Sequence, residues 1–439
     1  KTAFGYVKKF LEEGGRIVSK AEEKRLSLGI VGVKKTTGQH PGGLVIIPEG
    51  MDITDFCPVQ RPADKTEGDA ITTHFDYHKM EDNLLKLDEL GHDDPTMLKM
   101  LEDMTGVDAK KIPLDDPETM SIFISPKILG LTEDDAIIGK TGSIGISEFG
   151  TSFTREMLCD TKPKNFDTLV RLSGFSHGTG VWLDNARDLI MEKKIAVTDT
   201  IGCRDDIMLY LISLGMDEKY AFKIMEAVRK GRGITPDEEA DMREIGAPQW
   251  YIDSCKKIKY LFPKAHAVAY VMLAFRIAWF KVHRPLQFYA AYFYRRSQKD
   301  NFDAEFMTSG IETAKKKIID IKNDPKPTAK DKNLLVTLEA VYEFYLRGFS
   351  FTGIDIYKSD ATKFLIEDEK SLRPPFISIA GIGETAALEI TSIKNSGESF
   401  VSIEDMTRSI PKLGLAGIET LKSLGVFGDL PENSQMCLF

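Results

Sequence analysis

Lys86 and Asp88 are the side chains whose types and spacing suit chemistry most directly. They lie in Asn83-Leu84-Leu85-Lys86-Leu87-Asp88, a run that reads as a β-strand. Alternate residues of a strand share a face, so Lys86 and Asp88 project together while Leu85 and Leu87 are expected to enter a core. A carboxylate can hold a divalent cation, and an ammonium beside it can neutralise phosphate oxygens. The same spacing also produces an ordinary ion pair on a solvated sheet, which is the commoner outcome. Gly91-His92-Asp93-Asp94-Pro95 follows, and its acids read better as a turn and helix N-cap than as metal ligands.

A second group gathers further along. Lys256, Lys257, Tyr260, Lys264 and His266 fall within eleven residues, and Arg204 opens a helical pattern earlier. Cations with an aromatic between them offer charge to a polyphosphate and a flat face to a base. Tyr260 and Phe262 fit a core as well. Ser176, His177 and Thr179 form a polar loop; adjacent Ser and His seldom make a nucleophile and base, and no acid is indicated beside them, so hydrolysis is disfavoured. In Thr37-Gly38-Gln39-His40-Pro41-Gly42-Gly43 the paired glycines permit close backbone approach, and His40 is expected to brace the loop. Gly381-Ile382-Gly383 precedes a helical pattern, where free backbone N–H groups can meet a phosphate, although an ordinary turn has the same look.

The elements that must position these groups are legible in outline. Residues 1–28 read as two short helices around Gly14-Gly15. Residues 29–90 read as a small mixed α/β layer, with strands at Leu44 to Ile47, Thr72 to Asp76 and Asn83 to Asp88. Helical patterns dominate about 95–295, with a helical pair over 205–230 broken at Gly215 and a long apolar helix over 264–294 interrupted near His283-Arg284-Pro285. A further helical region covers 301–346, with a polar turn from Pro325 to Asp331. The segment 377–394 has the look of a helix-hairpin-helix, and 413–428 resembles a weaker second copy.

A chain of 439 residues is too long for one core and should hold about three domains. Apolar content of 42% and charged content of 28% describe a soluble globular protein. Five scattered cysteines make no Cys-x-x-Cys pair, so neither a zinc ribbon nor a disulfide framework is suggested, and a reducing cytoplasm fits. No apolar run is expected to span a membrane, and no signal peptide is evident. The sequence opens at Lys1 inside a helical pattern and reads as a piece of a longer chain. Net charge is -9, yet Lys256, Lys257, Lys259, Lys264, Arg276 and Lys281 concentrate positive charge among Tyr260, Phe262 and Trp279.

The stretches TTGQHPGG, THFDYHKMEDNLLKLDELGHDDPT, CRDDIM, WYIDSCKKIKYLFPKAHA and the terminal QMCLF together resemble the PolC-type bacterial DNA polymerase III alpha subunits, the family C replicative polymerases. The resemblance covers essentially the whole sequence. It implies an α+β multidomain fold: 1–28 a thumb remnant, 29–98 the C-terminal part of a palm with a mixed sheet, 99–298 largely α-helical fingers, 299–430 a duplex-binding helical domain with a helix-hairpin-helix, and 431–439 a clamp-binding tail. It implies template-directed nucleotidyl transfer from a dNTP to a primer 3′-hydroxyl, with two Mg²⁺ ions on three palm carboxylates. Asp88 matches the third; the first two are expected N-terminal to Lys1. Lys86 is expected near the triphosphate, and Arg204, Tyr260, Lys264 and His266 match the family's nucleotide-binding surface, with Ser176, His177 and Thr179 in a nearby fingers loop. Gly381 and Gly383 would clip duplex DNA, and Gln435, Leu438 and Phe439 would enter a sliding clamp. The implied partners are primer–template DNA, dNTP, the clamp and other replisome subunits, with no membrane. The sequence departs from the family pattern at Gly180, where an acid is expected, and at Ser147, where Pro is expected. The competing reading is a DNA- and clamp-binding module without catalysis, because one carboxylate of three cannot hold two metals. A nuclease is disfavoured, since no suitable acidic cluster is evident.

Overall fold

The computed structural model describes residues 2–33, 38–40, 42–62, 70–89, 91–396 and 399–434. The expected clamp-binding residues Gln435, Leu438 and Phe439 lie outside the described residues. The chain divides into two compact units, Lys1–His92 and Asp93–Phe439.

In the first unit, α1 (Thr2–Glu13) buries Val7 and Leu11, an i,i+4 pair on one helical face. Ser19 caps α2 (Lys20–Gly29), its hydroxyl oxygen accepting from the Glu22 amide. β1 (Gly43–Ile46), β2 (Val59–Gln60), β3 (Thr72–Thr73) and β4 (Leu85–Asp88) form two antiparallel ladders, β1 with β4 and β2 with β3. The mixed sheet expected in this region is therefore absent among the described residues. The sheet packs on a small cluster of Cys57, Met80 and Leu84, joined by Val45, Ile53 and Phe56.

That packing reverses one expectation. Leu85 is 60% exposed and Leu87 42%, while Leu84 is 3% exposed and supplies the core contact. Lys86 pairs with Val45, and Val45 faces the cluster, so Lys86 rather than its leucine neighbours lies on the partly covered side. Two strands have only one backed face, and alternation alone does not say which.

The second unit is mainly helical. Its first half contains α3 (Asp93–Thr105), α4 (Pro117–Ser121), α5 (Ser152–Thr161), α6 (Phe166–His177), α7 (Arg187–Met191), α8 (Arg204–Ser213), α9 (Glu218–Arg229), α10 (Pro236–Glu244), α11 (Gln249–Lys257), α12 (Lys264–His283) and α13 (Pro285–Ser297). Then come α14 (Ala304–Met307), α15 (Ile311–Asn323), α16 (Ala329–Leu346), β5 (Ser350–Phe351), β6 (Leu365–Ile366), β7 (Ser371–Arg373), α17 (Glu384–Asn395), α18 (Ile403–Ser409) and α19 (Gly414–Ser423). The breaks fall where backbone chemistry requires them. Gly215 takes φ +96° between α8 and α9. Pro285 opens α13 after Arg284 leaves the helical region. Thr328 and Asp331 form a capping box that starts α16. The mixed sheet lies here, in the order β5-β7-β6.

One hydrophobic core runs through this unit, with α12 at its centre burying Ala267, Val271, Ala274, Phe275, Ala278 and Phe280. Contrary to the sequence expectation, α12 is long and apolar enough to cross a membrane by length and composition, with a mean hydropathy of 1.3. Its place explains the composition: a helix surrounded by other helices needs no polar face. Lys281 also departs from expectation. It belongs to no basic surface but is fully buried, donating to the Gly142 and Ile144 carbonyls at 2.7 and 2.6 Å and pairing with Glu343 at 2.7 Å. Burial pushes its ammonium down to about 8 against the pull of Glu343.

Candidate functional site

In the first unit the site is built around β4. Lys86 Nζ lies 3.4 Å from Asp88 Oδ1, with the lysine less exposed than the acid. Tyr77 shapes this side: its hydroxyl donates to the Leu84 carbonyl at 2.9 Å and accepts from the Lys86 amide at 3.2 Å, and the Lys86 ammonium stands 5.1 Å from the ring centroid. Asp88 pairs with Gly43 across the ladder. A side chain at Gly43 would meet His40 Nδ1 at 2.7 Å and Asp88 Oδ1 at 3.2 Å, so glycine is needed for this approach. His40 Nδ1 accepts from the amides of Gly42 and Gly43 at 3.2 and 2.6 Å, which makes it a brace for the loop. A nitrogen accepting two N–H groups carries no proton, so its 4.0 Å separation from Asp88 is not an ion pair. Among the described residues no group of three or more His, Cys, Asp or Glu is arranged to hold a metal, and Asp88 offers one carboxylate. His92, Asp93 and Asp94 form no such group; Asp93 begins α3 and is held by Arg295 at 2.6 Å and by Lys299.

In the second unit the site is a short extended strip, residues 259–262, between a loop and two helix starts. The Thr179 amide donates to the Tyr260 carbonyl at 3.0 Å, and the Lys259 amide donates to the Thr179 carbonyl at 2.8 Å. The Arg204 amide, at the start of α8, donates to the Phe262 carbonyl at 3.1 Å. Asp205 caps α12 by accepting from the Lys264 amide at 2.8 Å. These bonds bring Thr179, Arg204 and the Tyr260–Lys264 stretch together from three separate segments. Tyr260 remains 42% exposed. Arg204 stands 3.8 Å from Asp205 and 4.0 Å from Glu226; Lys264 stands 3.7 Å from Asp167 and 3.9 Å from Asp206. Such long pairings leave both cations free to bond a stronger anion.

The rings continue the surface. His177 stacks on Phe262 with centroids 4.6 Å apart, Phe262 meets His266 at 5.0 Å, and His266 meets Tyr270 at 4.4 Å. Phe262 reads in the sequence as an aromatic of the basic stretch or as core, and Tyr270 is not singled out, although 266 and 270 follow helical i,i+4 spacing within α12. Lys256 and Lys257 have partners of their own: Lys256 pairs with Glu239 at 2.7 Å, and Lys257 donates to the Asp184 carbonyl at 2.5 Å. The basic loop Lys230-Gly231-Arg232-Gly233 was passed over; Gly231 comes so close to the strip that a side chain there would meet the Lys259 carbonyl oxygen at 2.5 Å.

Ser176 and His177 are in contact at 3.1 Å, and an acid unseen in the sequence, Glu148, lies 3.5 Å from the ring. All three contacts, including the Ser173 carbonyl at 2.9 Å, fall on Nδ1. A nucleophilic triad needs serine and acid on opposite ring nitrogens, so this group is not one.

Gly381 takes φ +87°, and at both Gly381 and Gly383 an added side chain would meet nothing within 4 Å, so the hairpin backbone faces open space. Buried Ile382 anchors it. A single 3₁₀ turn at Phe376–Ser378 precedes the hairpin, and α17 follows. The stretch 413–428, expected to resemble a second copy, takes in the end of a 3₁₀ turn at Pro411–Leu413 and then α19, with Gly414 at φ +64° and α18 before it.

Family comparisons divide the chain along these lines. Residues 7–91 match the bacterial DNA polymerase III alpha NTPase domain, 94–247 the bacterial DNA polymerase III alpha subunit finger domain, and 348–436 a helix-hairpin-helix motif. Across its whole length the chain is 53% identical to DNA polymerase III PolC-type of Caldanaerobacter subterraneus subsp. tengcongensis, 52% to that of Bacillus subtilis and 51% to that of Thermotoga maritima. The chain belongs to the PolC-type bacterial DNA polymerase III alpha subunit family. It spans 31%, 30% and 32% of those three relatives, about a third of their length.

The two positions where the sequence is expected to depart from the family pattern are locally constrained. Gly180 takes φ +70°, and a side chain there would meet the Lys257 carbonyl oxygen at 2.4 Å, so this backbone path bars an acid. Ser147 donates through its hydroxyl to buried Asp94 at 2.5 Å, a bond a proline cannot make.

Proposed function

We propose that this chain supplies the nucleotide-facing fingers, one palm carboxylate and the duplex- and clamp-binding parts of a cytoplasmic replicative DNA polymerase. The observation that carries this reading is the strip itself, where Arg204, inside the region that matches the polymerase III finger domain, meets Tyr260 and Lys264 from a later segment. Arg204 and Lys264 neutralise the triphosphate of an incoming dNTP, Tyr260 and the His177–Phe262–His266 rings supply flat faces, and Thr179 fixes the strip's height. Ser176 orients His177. Lys256 and Lys257 act at longer range, through the field of the basic segment. The primer 3′-hydroxyl attacks the α-phosphorus in line, and pyrophosphate leaves. Asp88, with carboxylates from outside this sequence, would hold Mg²⁺, which supplies positive charge at the attacking and departing oxygens. Lys86 holds Asp88 in place and meets phosphate oxygens. Gly381 and Gly383 present amides to the duplex backbone, and Gln435, Leu438 and Phe439 engage the sliding clamp.

The lone carboxylate on β4 favours a second reading for the chain by itself, a DNA- and clamp-binding module that does not catalyse. Primer extension separates the two. Extension is expected from the complete polymerase and none from this chain alone; extension by this chain alone would refute the need for outside carboxylates. Removing Leu438 and Phe439 is expected to shorten product runs while sparing single-nucleotide addition, and unchanged clamp affinity would remove the tail from that role.

A further inference from the structure

Beside the strip, α6, the Thr198–Thr200 segment, α8, α11 and the start of α12 line a cavity of about 480 Å³ that is open to solvent on one side. Its chemistry comes from Arg171, Asp199, Asp206, Tyr210, Trp250 and Lys264. One wall is aromatic and held from behind: the Tyr210 ring lies 4.3 Å from that of fully buried Tyr251, and Trp250 meets Tyr251 edge-on at 5.6 Å. The polar wall is equally fixed. Asp206 Oδ2 accepts from the amides of Gly202 and Cys203 at 3.0 and 2.8 Å and from Arg171 at 3.1 Å. Arg171 also donates to the Thr200 carbonyl. Its Nε is buried and has no hydrogen-bond partner among the described residues, an unmet donor of the kind that folded proteins rarely leave.

This composition selects a class of ligand. Arg171 and Lys264 stand against Asp199 and Asp206, so the cavity has no net pull on a polyanion. It suits a flat, neutral heterocycle that stacks on the aromatic wall and offers a carbonyl or ring-nitrogen acceptor to Lys264, whose ion pairs are long. The volume falls in the range of small-ligand sites and exceeds one base. Lys264 belongs both to this cavity and to the strip, so an occupant lies next to the proposed dNTP surface.

We propose that the cavity receives an unpaired nucleobase of single-stranded template DNA. The word template rests on the function proposed above; the binding itself requires no synthesis, so the two readings fail separately. The test titrates the 439-residue chain with a primer–template bearing a four-nucleotide 5′ overhang that contains one 2-aminopurine, and with the blunt duplex. Emission of the 2-aminopurine is expected to fall on binding. Trp250→Ala is expected to weaken overhang binding about 5- to 100-fold and leave the blunt duplex unchanged, with Trp250→Phe restoring most of the loss. Unquenched emission with the unsubstituted chain would overturn the proposal, whatever the variants' stability. So would an equal loss on both DNAs, or displacement of the overhang by free thymidine, which would assign the cavity to nucleosides.

Discussion

The strand that carries Asp88 and the strip that carries Tyr260 differ most in what lies behind them. β4 belongs to a two-stranded ladder backed by three fully buried side chains, and its other face leaves Leu44, Ile46, Leu85 and Leu87 exposed. The strip is seated on the continuous core of the second unit, with its ends tied to α8 and α12 by backbone and cap bonds. The proposed nucleotide surface is thus held from behind by a core, whereas the proposed metal ligand stands on a ladder whose other face is exposed. Preorganised charge acts without reorganisation at the moment of reaction, which is the advantage of building the strip this way.

The contrast can be broken or sharpened in four ways. The largest effect is expected from Asp88→Ala in the complete polymerase, where single-nucleotide addition should fall by on the order of 10³ or more with the melting temperature unchanged. Normal turnover in rapid-quench assays would remove Asp88 from the chemistry. Lys264→Ala should raise KM for dNTP about 10- to 100-fold, as loss of a charge-assisted bond to phosphate implies; an unchanged KM would show that the strip does not meet the triphosphate. Gly180→Asp puts the acid expected from the family resemblance at a position whose backbone leaves no room for a side chain, and should cost about 1–3 kcal/mol in denaturant unfolding. An unaltered midpoint would mean that the loop relaxes freely and that the strip is not rigid. Ser147→Ala should cost about 1–2 kcal/mol by leaving buried Asp94 short of a donor, measured in the same way.

A pH experiment probes the basic flank more gently. Glu226 is held down to about 2, chiefly by its hydrogen bond from Arg229. A carboxylate whose folded value lies below its unfolded value stabilises fully above about 4.5 and loses that contribution as pH falls toward 2. Glu226→Gln should lower stability at neutral pH and flatten its dependence on pH between about 4.5 and 2; a profile identical to that of the parent chain would show the cluster to be energetically idle.

Much of the scaffold was legible before any coordinates. Gly215, Pro285 and the Pro325 to Asp331 turn interrupt the helices where they were expected, because φ preference and a missing amide act locally. The pairing of Lys86 with Asp88 was equally legible, since strand alternation is a local rule. Which side of that strand meets a core was not, because Leu84 rather than Leu85 reaches Met80 and Cys57 from a neighbouring loop and turn. Lys281 reads as one more cation of a basic run, and only the arrival of Glu343 and two carbonyls makes it a buried structural ion.

By itself the sequence determined the helix breaks, the capping residues, the alternation that sets Lys86 beside Asp88, and the family signature spread over the chain. Tertiary structure alone decided that Thr179, Arg204, Tyr260 and Lys264 share one surface, that Glu148 stands at the wrong nitrogen of His177, and that Gly180 admits no side chain. The physical reason is range: propensities and caps act within a turn or two of backbone, whereas a site is made by distant segments that meet only when one core has drawn them together.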